Sequence, residues 1–90
     1  PLMWAIKNKK YKAAKVLILH GANVNHEDNE GTPLVHYAVH TKSFKFVKLL
    51  IDSKVNLKAK DQYGLTPLVY ALKNKNKNIV ELIKKAGGKY

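Results

Sequence analysis

Apolar residues recur along the chain in short segments with helical spacing. The segments 2–8, 11–20, 35–41, 44–53, 68–74 and 78–86 place apolar side chains three or four positions apart, and polar linkers separate them. This pattern predicts six short helices in three pairs. The second helix of each pair carries the stripe that we expect to be buried: Ala13, Ala14, Val16, Leu17 and Ile18, then Phe46, Val47, Leu49, Leu50 and Ile51, then Ile79, Val80, Leu82 and Ile83.

The helix ends carry residue types typical of caps. In the segment 61–72, a polar turn leads into an apolar helix start, where Thr66 is expected to cap the helix through its hydroxyl and Pro67 to occupy the first helical position. Gly21 is expected to end the second helix in the left-handed conformation. Lys54 stands at the matching place one pair later, and we expect it to weaken that cap by about 1 kcal/mol.

A period of 33 residues relates the three helix pairs. It superimposes Asp61, Gly64, Tyr70 and Ala71 on Asp28, Gly31, Tyr37 and Ala38, and the last two of these on Trp4 and Ala5. A fixed period of this length predicts a stacked array of similar units, in which each unit covers the apolar side of the next.

The repeated residues resemble the ankyrin repeat. The resemblance is carried by Thr-Pro-Leu with a following Ala, and by Gly-Ala-Asn-Val-Asn at residues 21–25, whose equivalent lies at residues 54–58. It implies an all-α solenoid of stacked helix-turn-helix units joined by β-turn or hairpin loops. We expect one domain at 1–90, with repeats at about 1–27, 28–60 and 61–90.

Repeat two departs from this pattern at its turn. Thr32 follows Gly31 directly, whereas Leu65 separates the corresponding glycine and threonine of repeat three. Val35 therefore looks like an inserted residue that restores the register at His36. We expect a tighter turn tip and a longer or distorted inner helix in this repeat.

The two ends of the array differ in their apolar columns. The column of Tyr11 and Phe44 continues as Lys77, and in the same way Ile18 and Ile51 are followed by a lysine, Lys84, as a solvent-facing terminal repeat requires. Repeat one shows no such change, and the chain opens on a proline at a first helical position. We therefore expect further repeats, or a capping element, N-terminal to Pro1.

Charge is the most unusual feature of the composition. The chain has 17 lysines, no arginine and six acidic residues, giving a formal net charge of +11. It has no cysteine, which excludes disulfides and cysteine-based zinc sites. It has no apolar run long enough for a membrane span and no signal-peptide pattern, so an intracellular module is the default expectation.

Nothing in the chain indicates catalysis, and we predict no enzyme, cofactor or metal site. Asp28 and Asp61 match the turn aspartate that the resemblance implies, and no nucleophile–base pair or phosphate-binding glycine loop is present. His36 and His40 have the spacing of two metal ligands on a helix, but no cysteine or suitably placed carboxylate completes a shell. The resemblance gives His36 a structural role, in which it hydrogen-bonds the repeat's turn.

The resemblance implies protein binding through turn tips and the exposed ends of the inner helices. Tyr63 and Leu65 are the strongest candidates, since large apolar side chains at a turn tip favour an interface. Trp4, Tyr37 and Tyr70 form an aromatic column that could serve as a stacking platform, but the resemblance favours packing between adjacent inner helices. The other positions carried over are Gln62, Asn29, Glu30, Thr32, Lys7, Asn8, His40, Thr41, Lys73 and Asn74.

Lysines in register indicate an alternative function. They form a basic strip away from the turn tips, made of Lys9, Lys42 and Lys75 (where ankyrin repeats usually have glycine), Lys12 and Lys45, and Lys15 and Lys48. Such a strip is expected to attract nucleic acid, an anionic membrane or an acidic protein. The absence of arginine argues against sequence-specific reading of nucleic acid. A merely solvated lysine face is the other interpretation. The resemblance also marks Asn25 as a position that an asparaginyl hydroxylase can modify.

Overall fold

The chain folds into six short helices, and the computed structural model describes all 90 residues. They are α1 (Leu2–Lys7), α2 (Tyr11–Leu19), α3 (Leu34–His40), α4 (Phe44–Asp52), α5 (Pro67–Lys73) and α6 (Lys77–Lys85). Each predicted helix is present, with ends that differ from the prediction by one residue in most cases. The only β pairing is an isolated antiparallel bridge between Glu27 and Pro33. The all-α prediction is confirmed, and no helix is long and apolar enough to cross a bilayer.

The helices form two layers in a stack of hairpins. The inner helices α1, α3 and α5 contact one another in order, and the outer helices α2, α4 and α6 do the same. Each inner helix also packs on the outer helix of its own pair. All three inner-to-outer loops therefore lie at one edge of the stack, and the long turns that join successive pairs lie at the opposite edge.

The core is a continuous layer of aliphatic side chains between the two sets of helices. Ile6, Leu34, Leu50, Leu68 and Ile83 are among its largest fully buried members. The predicted stripes of α4 and α6 lie in or against this core. In α2 only Ala14 is fully buried, and the prediction was wrong for Ala13 and Val16, which are exposed. They lie in the first repeat, whose N-terminal side no other helix covers.

The glycine that was predicted to end a helix does so, but the threonine that was predicted to cap a helix with its side chain does not. Gly21 and Gly87 take left-handed φ angles of 89° and 96°, and Lys54 takes the same conformation at 68°. Pro67 is the first residue of α5, as predicted. The Thr66 cap prediction was wrong, because its hydroxyl donates instead to the Lys89 carbonyl at 2.6 Å and so ties the C-terminal tail to the third turn.

Repeat two keeps the register of repeat three. Helices α3 and α5 have seven residues each and begin 33 residues apart, so Val35 is not an insertion and the helix is neither lengthened nor distorted. The turns also match: Asp28 N–H donates to the Thr32 carbonyl at 3.1 Å, and Asp61 N–H to the Leu65 carbonyl at 3.0 Å. Only the Thr-Pro pair has moved by one position. Its proline consequently stands at the N-cap of α3.

Candidate functional site

Each interior turn is organised by its aspartate. Asp28 Oδ1 accepts hydrogen bonds from the backbone N–H groups of Glu30 and Thr32, both at 2.9 Å. Asp61 Oδ1 accepts in the same way from the amides two and four residues later, at 3.0 Å. A glycine with positive φ completes each turn, Gly31 at 85° and its equivalent at 76°. The turn tips are thus fixed by their own short-range hydrogen bonds.

A tyrosine on α3 and one on α5 each hold a turn aspartate in place. The Tyr37 hydroxyl donates to Asp28 Oδ2, and the Tyr70 hydroxyl donates to Asp61 Oδ2. The hydrogen bond from Tyr37 is the largest cause that lowers the pKa of Asp28. In the next repeat, the hydrogen bond to Asp61 is the largest cause that raises the pKa of Tyr70 to about 12. Sequence reasoning missed this link, although aspartate and tyrosine stand nine residues apart in both repeats.

His36 joins repeat two to the turn of repeat three. Its Nε2 donates to the Leu65 carbonyl at 2.8 Å, and its ring meets the Tyr70 ring edge-on with centroids 5.6 Å apart. The residue is 4% exposed, and this burial lowers the pKa of His36. The neutral ring with its proton on Nε2 fits these contacts, which confirms the predicted structural role. Nδ1 is left as a buried acceptor with no hydrogen-bond partner.

The N-cap proline accounts for the unpaired nitrogen of His36. The histidine is the third residue of α3, the position from which a side chain reaches back to the N-cap backbone N–H in a capping box. Pro33 is the N-cap here, and proline has no N–H to donate. The shifted Thr-Pro pair therefore removes the donor that this geometry would otherwise supply.

A pocket lies between the second and third turn tips and the inner helices below them. Its volume is about 220 Å³, and we refer to it as the inter-repeat pocket. Its lining residues are Thr32, His36, Tyr37, His40, Asp61, Gln62, Tyr63 and Tyr70. Four of the predicted binding residues thus meet in one place, namely Thr32, His40, Gln62 and Tyr63. The floor is held by the hydrogen bonds of His36, whereas the Tyr63 side chain is 74% exposed.

Two hydrogen bonds tie adjacent repeats together, and the first of them lies at this pocket. The Thr32 hydroxyl donates to Gln62 Oε1 at 3.0 Å, which joins the second and third tips. Asn56 N–H donates to Asn25 Oδ1 at 2.7 Å, which joins the first and second repeats. The Asn25 side chain therefore has a structural role, and its hydroxylation stays a prediction.

The remaining predicted tip residues lie outside the pocket. Asn29 and Glu30 are exposed at the second tip. Leu65 is half-buried, and its backbone N–H and carbonyl are already used by Asp61 and His36. Tyr63 is consequently the large apolar side chain that this tip offers to a partner.

Apart from His40, the predicted residues at the inner-helix ends lie outside the pocket, and several of them form local contacts. Lys7 Nζ lies 4.4 Å from the centroid of the Tyr37 ring, and Lys73 Nζ lies 5.8 Å from that of Tyr70. Asn8 Nδ2 donates to the Trp4 carbonyl at 2.8 Å. Thr41 and Asn74 are the half-buried C-cap residues of α3 and α5.

The lysines of the predicted strip are all exposed but differ in their surroundings. Lys48 pairs with Asp52 at 3.3 Å, which is the one salt bridge of the chain. Lys45 Nζ lies 4.4 Å from the Tyr11 ring centroid. The loop lysines Lys9, Lys42 and Lys75 all have a positive φ angle. The sequence predicted their charge but not this backbone conformation. Lys12 and Lys15 lie on α2.

No group of three or more histidine, cysteine or acidic side chains is placed to hold a metal ion.

A comparison with protein families finds that the model described as "Ankyrin repeats (3 copies)" matches residues 2–90. A comparison with curated proteins finds no match. The family match covers nearly the whole chain, and its three copies agree with the three helix pairs, so this chain belongs to the ankyrin-repeat family.

Proposed function

We propose that this chain is a non-enzymatic protein-binding module that holds its partner at the inter-repeat pocket. Ankyrin repeats are in general protein–protein interaction modules, and the family is typically without enzymatic activity. The observation that carries the proposal is the exposed Tyr63 beside a pocket with a hydrogen-bonded floor. The intracellular location stays a prediction.

The geometry of the pocket supports binding because little of it needs to be ordered when a partner arrives. The aspartate-centred turns, the tyrosine hydroxyl contacts and the Thr32–Gln62 hydrogen bond hold the lining in place. The pocket lining of this chain then loses less conformational freedom on binding, which leaves more of the contact energy as affinity. Exposed aromatic side chains beside fixed pockets are the typical anchors of interfaces.

A matched pair of tyrosines tests this proposal. Tyr63 and Tyr90 are exposed to similar extents, 74% and 72%, but only Tyr63 lines the pocket. A photo-crosslinking amino acid at position 63 should attach to the native partner, and the same substitution at position 90 should not. Tyr63→Ala should weaken binding to the partner so captured by more than about tenfold, as expected for an interface anchor. A loss below about threefold, or one equalled by Tyr90→Ala, contradicts the proposal.

The N-terminal face of repeat one supports the further prediction that another repeat packs there. Trp4 and Val16 are 57% and 52% exposed, and they line a groove of about 500 Å³ whose accessible surface is almost wholly apolar. The position of Ala13 in this groove corresponds to Phe46 and Ile79, which are buried at 3% and 1% exposure where a preceding repeat covers them. A designed ankyrin hairpin fused before Pro1 should raise the melting temperature, and an unchanged or lower value would contradict this prediction.

A further inference from the structure

The loops between inner and outer helices form a strongly basic edge, which we call the loop edge. It comprises the three windows 7–12, 40–45 and 73–78, which the stacked hairpins bring to one side of the molecule. These windows contain nine lysines and no aspartate or glutamate: Lys7, Lys9, Lys10, Lys12, Lys42, Lys45, Lys73, Lys75 and Lys77. None of the nine forms a salt bridge, because the one ion pair of the chain is formed by Lys48. Asp28 acts on Lys7, and Glu81 lines a cavity together with Lys75 and Lys77, so two carboxylates lie near the nine lysines. The loop edge therefore keeps a net positive potential.

Three of these lysines are held in a conformation that disfavours them. Lys9, Lys42 and Lys75 have φ angles of 56°, 60° and 55°, in the left-handed region. For a residue with a Cβ atom this costs about 1 kcal/mol relative to glycine. The chain places glycine at other positions with positive φ, such as Gly21 and Gly64. A fourth lysine, Lys54, has a φ of 68° outside the loop edge. What distinguishes the loop edge is that all three equivalent loops keep a lysine in this conformation, and so keep a positive charge where glycine would relieve the strain.

An aromatic recess lies beside the first of these loops. Its volume is about 470 Å³, and it is lined by Trp4, Lys10, Tyr11, Lys12, Ala13 and Lys45. Trp4 is more than half exposed, and the ammonium group of Lys45 lies over the face of the Tyr11 ring. The lining includes three lysines and no carboxylate, so the recess combines aromatic walls with positive charge.

We propose that the loop edge binds single-stranded nucleic acid, with its phosphates along the lysines of the three loops and a base in the aromatic recess. Proteins that bind single strands without sequence preference combine a basic track with aromatic faces on which bases stack. The loops repeat at the spacing of packed helices, about 8–10 Å, so an extended polyanion can follow them from one repeat to the next. The loops lie on the opposite edge from the turn tips, but Lys7 and Lys73 lie over Tyr37 and Tyr70, which line the inter-repeat pocket. The loop lysines Lys9, Lys42 and Lys75 do not line that pocket, so substituting them tests the loop edge alone.

Other anions fit the loop edge less well. Duplex DNA hides its bases from an aromatic recess, and the chain has no arginine to read base edges in a groove. Membrane-surface proteins bury apolar side chains in the lipid, whereas the Trp4 and Tyr11 side chains line a recess. Trp4, Lys12 and Ala13 also line the N-terminal groove, so a further repeat packed in that groove would compete with a base for the recess.

Binding of a labelled single-stranded oligonucleotide of about 12–16 nucleotides, a length typical of such sites, across salt concentrations tests the inference. The triple variant Lys9→Gly, Lys42→Gly and Lys75→Gly should bind about tenfold more weakly at about 0.1 M salt, with the log–log salt slope reduced by up to about 2 for three phosphate contacts. The same variant should melt at a higher temperature, because it relieves the left-handed strain. Weaker binding by a more stable protein cannot be attributed to unfolding.

A charge-matched control and a base-specific control complete the experiment. Lys58→Gln, Lys85→Gln and Lys89→Gln remove the same charge away from the loop edge and should change binding by less than threefold; an equal loss overturns the location. Trp4→Ala should weaken oligonucleotide binding about tenfold, as removal of a stacking side chain does, and leave binding of inorganic polyphosphate unchanged. Equal effects on both ligands, tighter binding of duplex DNA, or binding only to phosphatidylserine vesicles would overturn the assignment to single strands.

Discussion

Replacing the N-cap proline of α3 is expected to stabilise the protein. Pro33 is buried at the start of the helix, and the Nδ1 atom of His36, three residues later, has no donor. Pro33→Val supplies a backbone N–H at the N-cap without a hydroxyl. Pro33→Thr supplies the same N–H together with a hydroxyl, in a side chain of the same shape. The pair therefore separates the contribution of the N–H from that of a side-chain cap.

The magnitude follows from three opposing or additive contributions. Pairing a buried, unsatisfied acceptor recovers about 1–3 kcal/mol. Losing the proline costs about 0.4–1 kcal/mol, because the unfolded chain regains conformational freedom. We therefore expect Pro33→Val to raise the free energy of unfolding by about 1 kcal/mol. Pro33→Thr should add about 1 kcal/mol more where its hydroxyl caps the helix. In a chain of this size each 1 kcal/mol corresponds to about 4–8 °C in melting temperature.

Urea and thermal unfolding monitored by circular dichroism measure both variants at pH 7.5, where the histidine is neutral. The same two substitutions in a His36→Leu background provide the control, since the unpaired nitrogen is then absent. The gain of Pro33→Val should disappear in that background, as a coupling between the two positions requires. A variant no more stable than the parent, or a gain that persists without His36, refutes the explanation.

Three further perturbations test the other stabilising contacts. Because burial lowers the pKa of His36, its contribution to stability is complete above its ordinary pKa of about 6.5 and is lost as the pH falls below that value. His36→Gln keeps a donor toward Leu65 but does not titrate. The urea midpoint of this variant should therefore change less between about pH 7 and pH 5 than that of the parent. Lys54→Gly should raise the free energy of unfolding by about 1 kcal/mol, and a decrease would show that its φ of 68° is not strained. Tyr70→Phe removes the hydroxyl bound to Asp61 and should lower the free energy of unfolding by about 1 kcal/mol. The loss is no larger because solvent screens this half-exposed pair. The same substitution should also raise the pKa of Asp61, which is lowered in the folded protein, so that acid unfolding begins at a higher pH; an unchanged acid transition contradicts this.

The sequence was sufficient for the helices and the stack because both depend on apolar spacing that repeats every 33 residues. It was insufficient where the outcome depends on which neighbour is present. Val16 has the spacing of a buried residue but is exposed, because no repeat covers its side of α2. The supposed insertion at Val35 was wrong for a related reason. Aspartate-centred hydrogen bonds fix the turn in both repeats, so the position of Thr-Pro does not decide where the helix begins.

The candidate site shows the same division between pattern and geometry. The pattern named tip residues and inner-helix ends, and three of the tip residues, together with His40 of the inner-helix set, line one pocket. It did not show that the Tyr70 hydroxyl is bound to Asp61, because a nine-residue spacing gains meaning only when helix and turn are folded together. Likewise the lysine columns were visible as charge. Their left-handed φ angles follow from the hydrogen bonds that end the inner helices, such as Lys10 N–H to the Ala5 carbonyl at 2.7 Å.

The two edges of the stack meet different physical requirements, and this separates the two proposed sites. At the turn edge, Asp28 and Asp61 each fix a turn tip through backbone hydrogen bonds. These tips are therefore ordered before a partner binds. At the loop edge, strained lysines are kept where glycine would be more stable, so charge is retained at the expense of stability. A substitution that stabilises the loop edge should therefore weaken only the polyanion site. A loss of protein binding at Tyr63 in the triple glycine variant would show that the two edges are coupled, contrary to this reasoning.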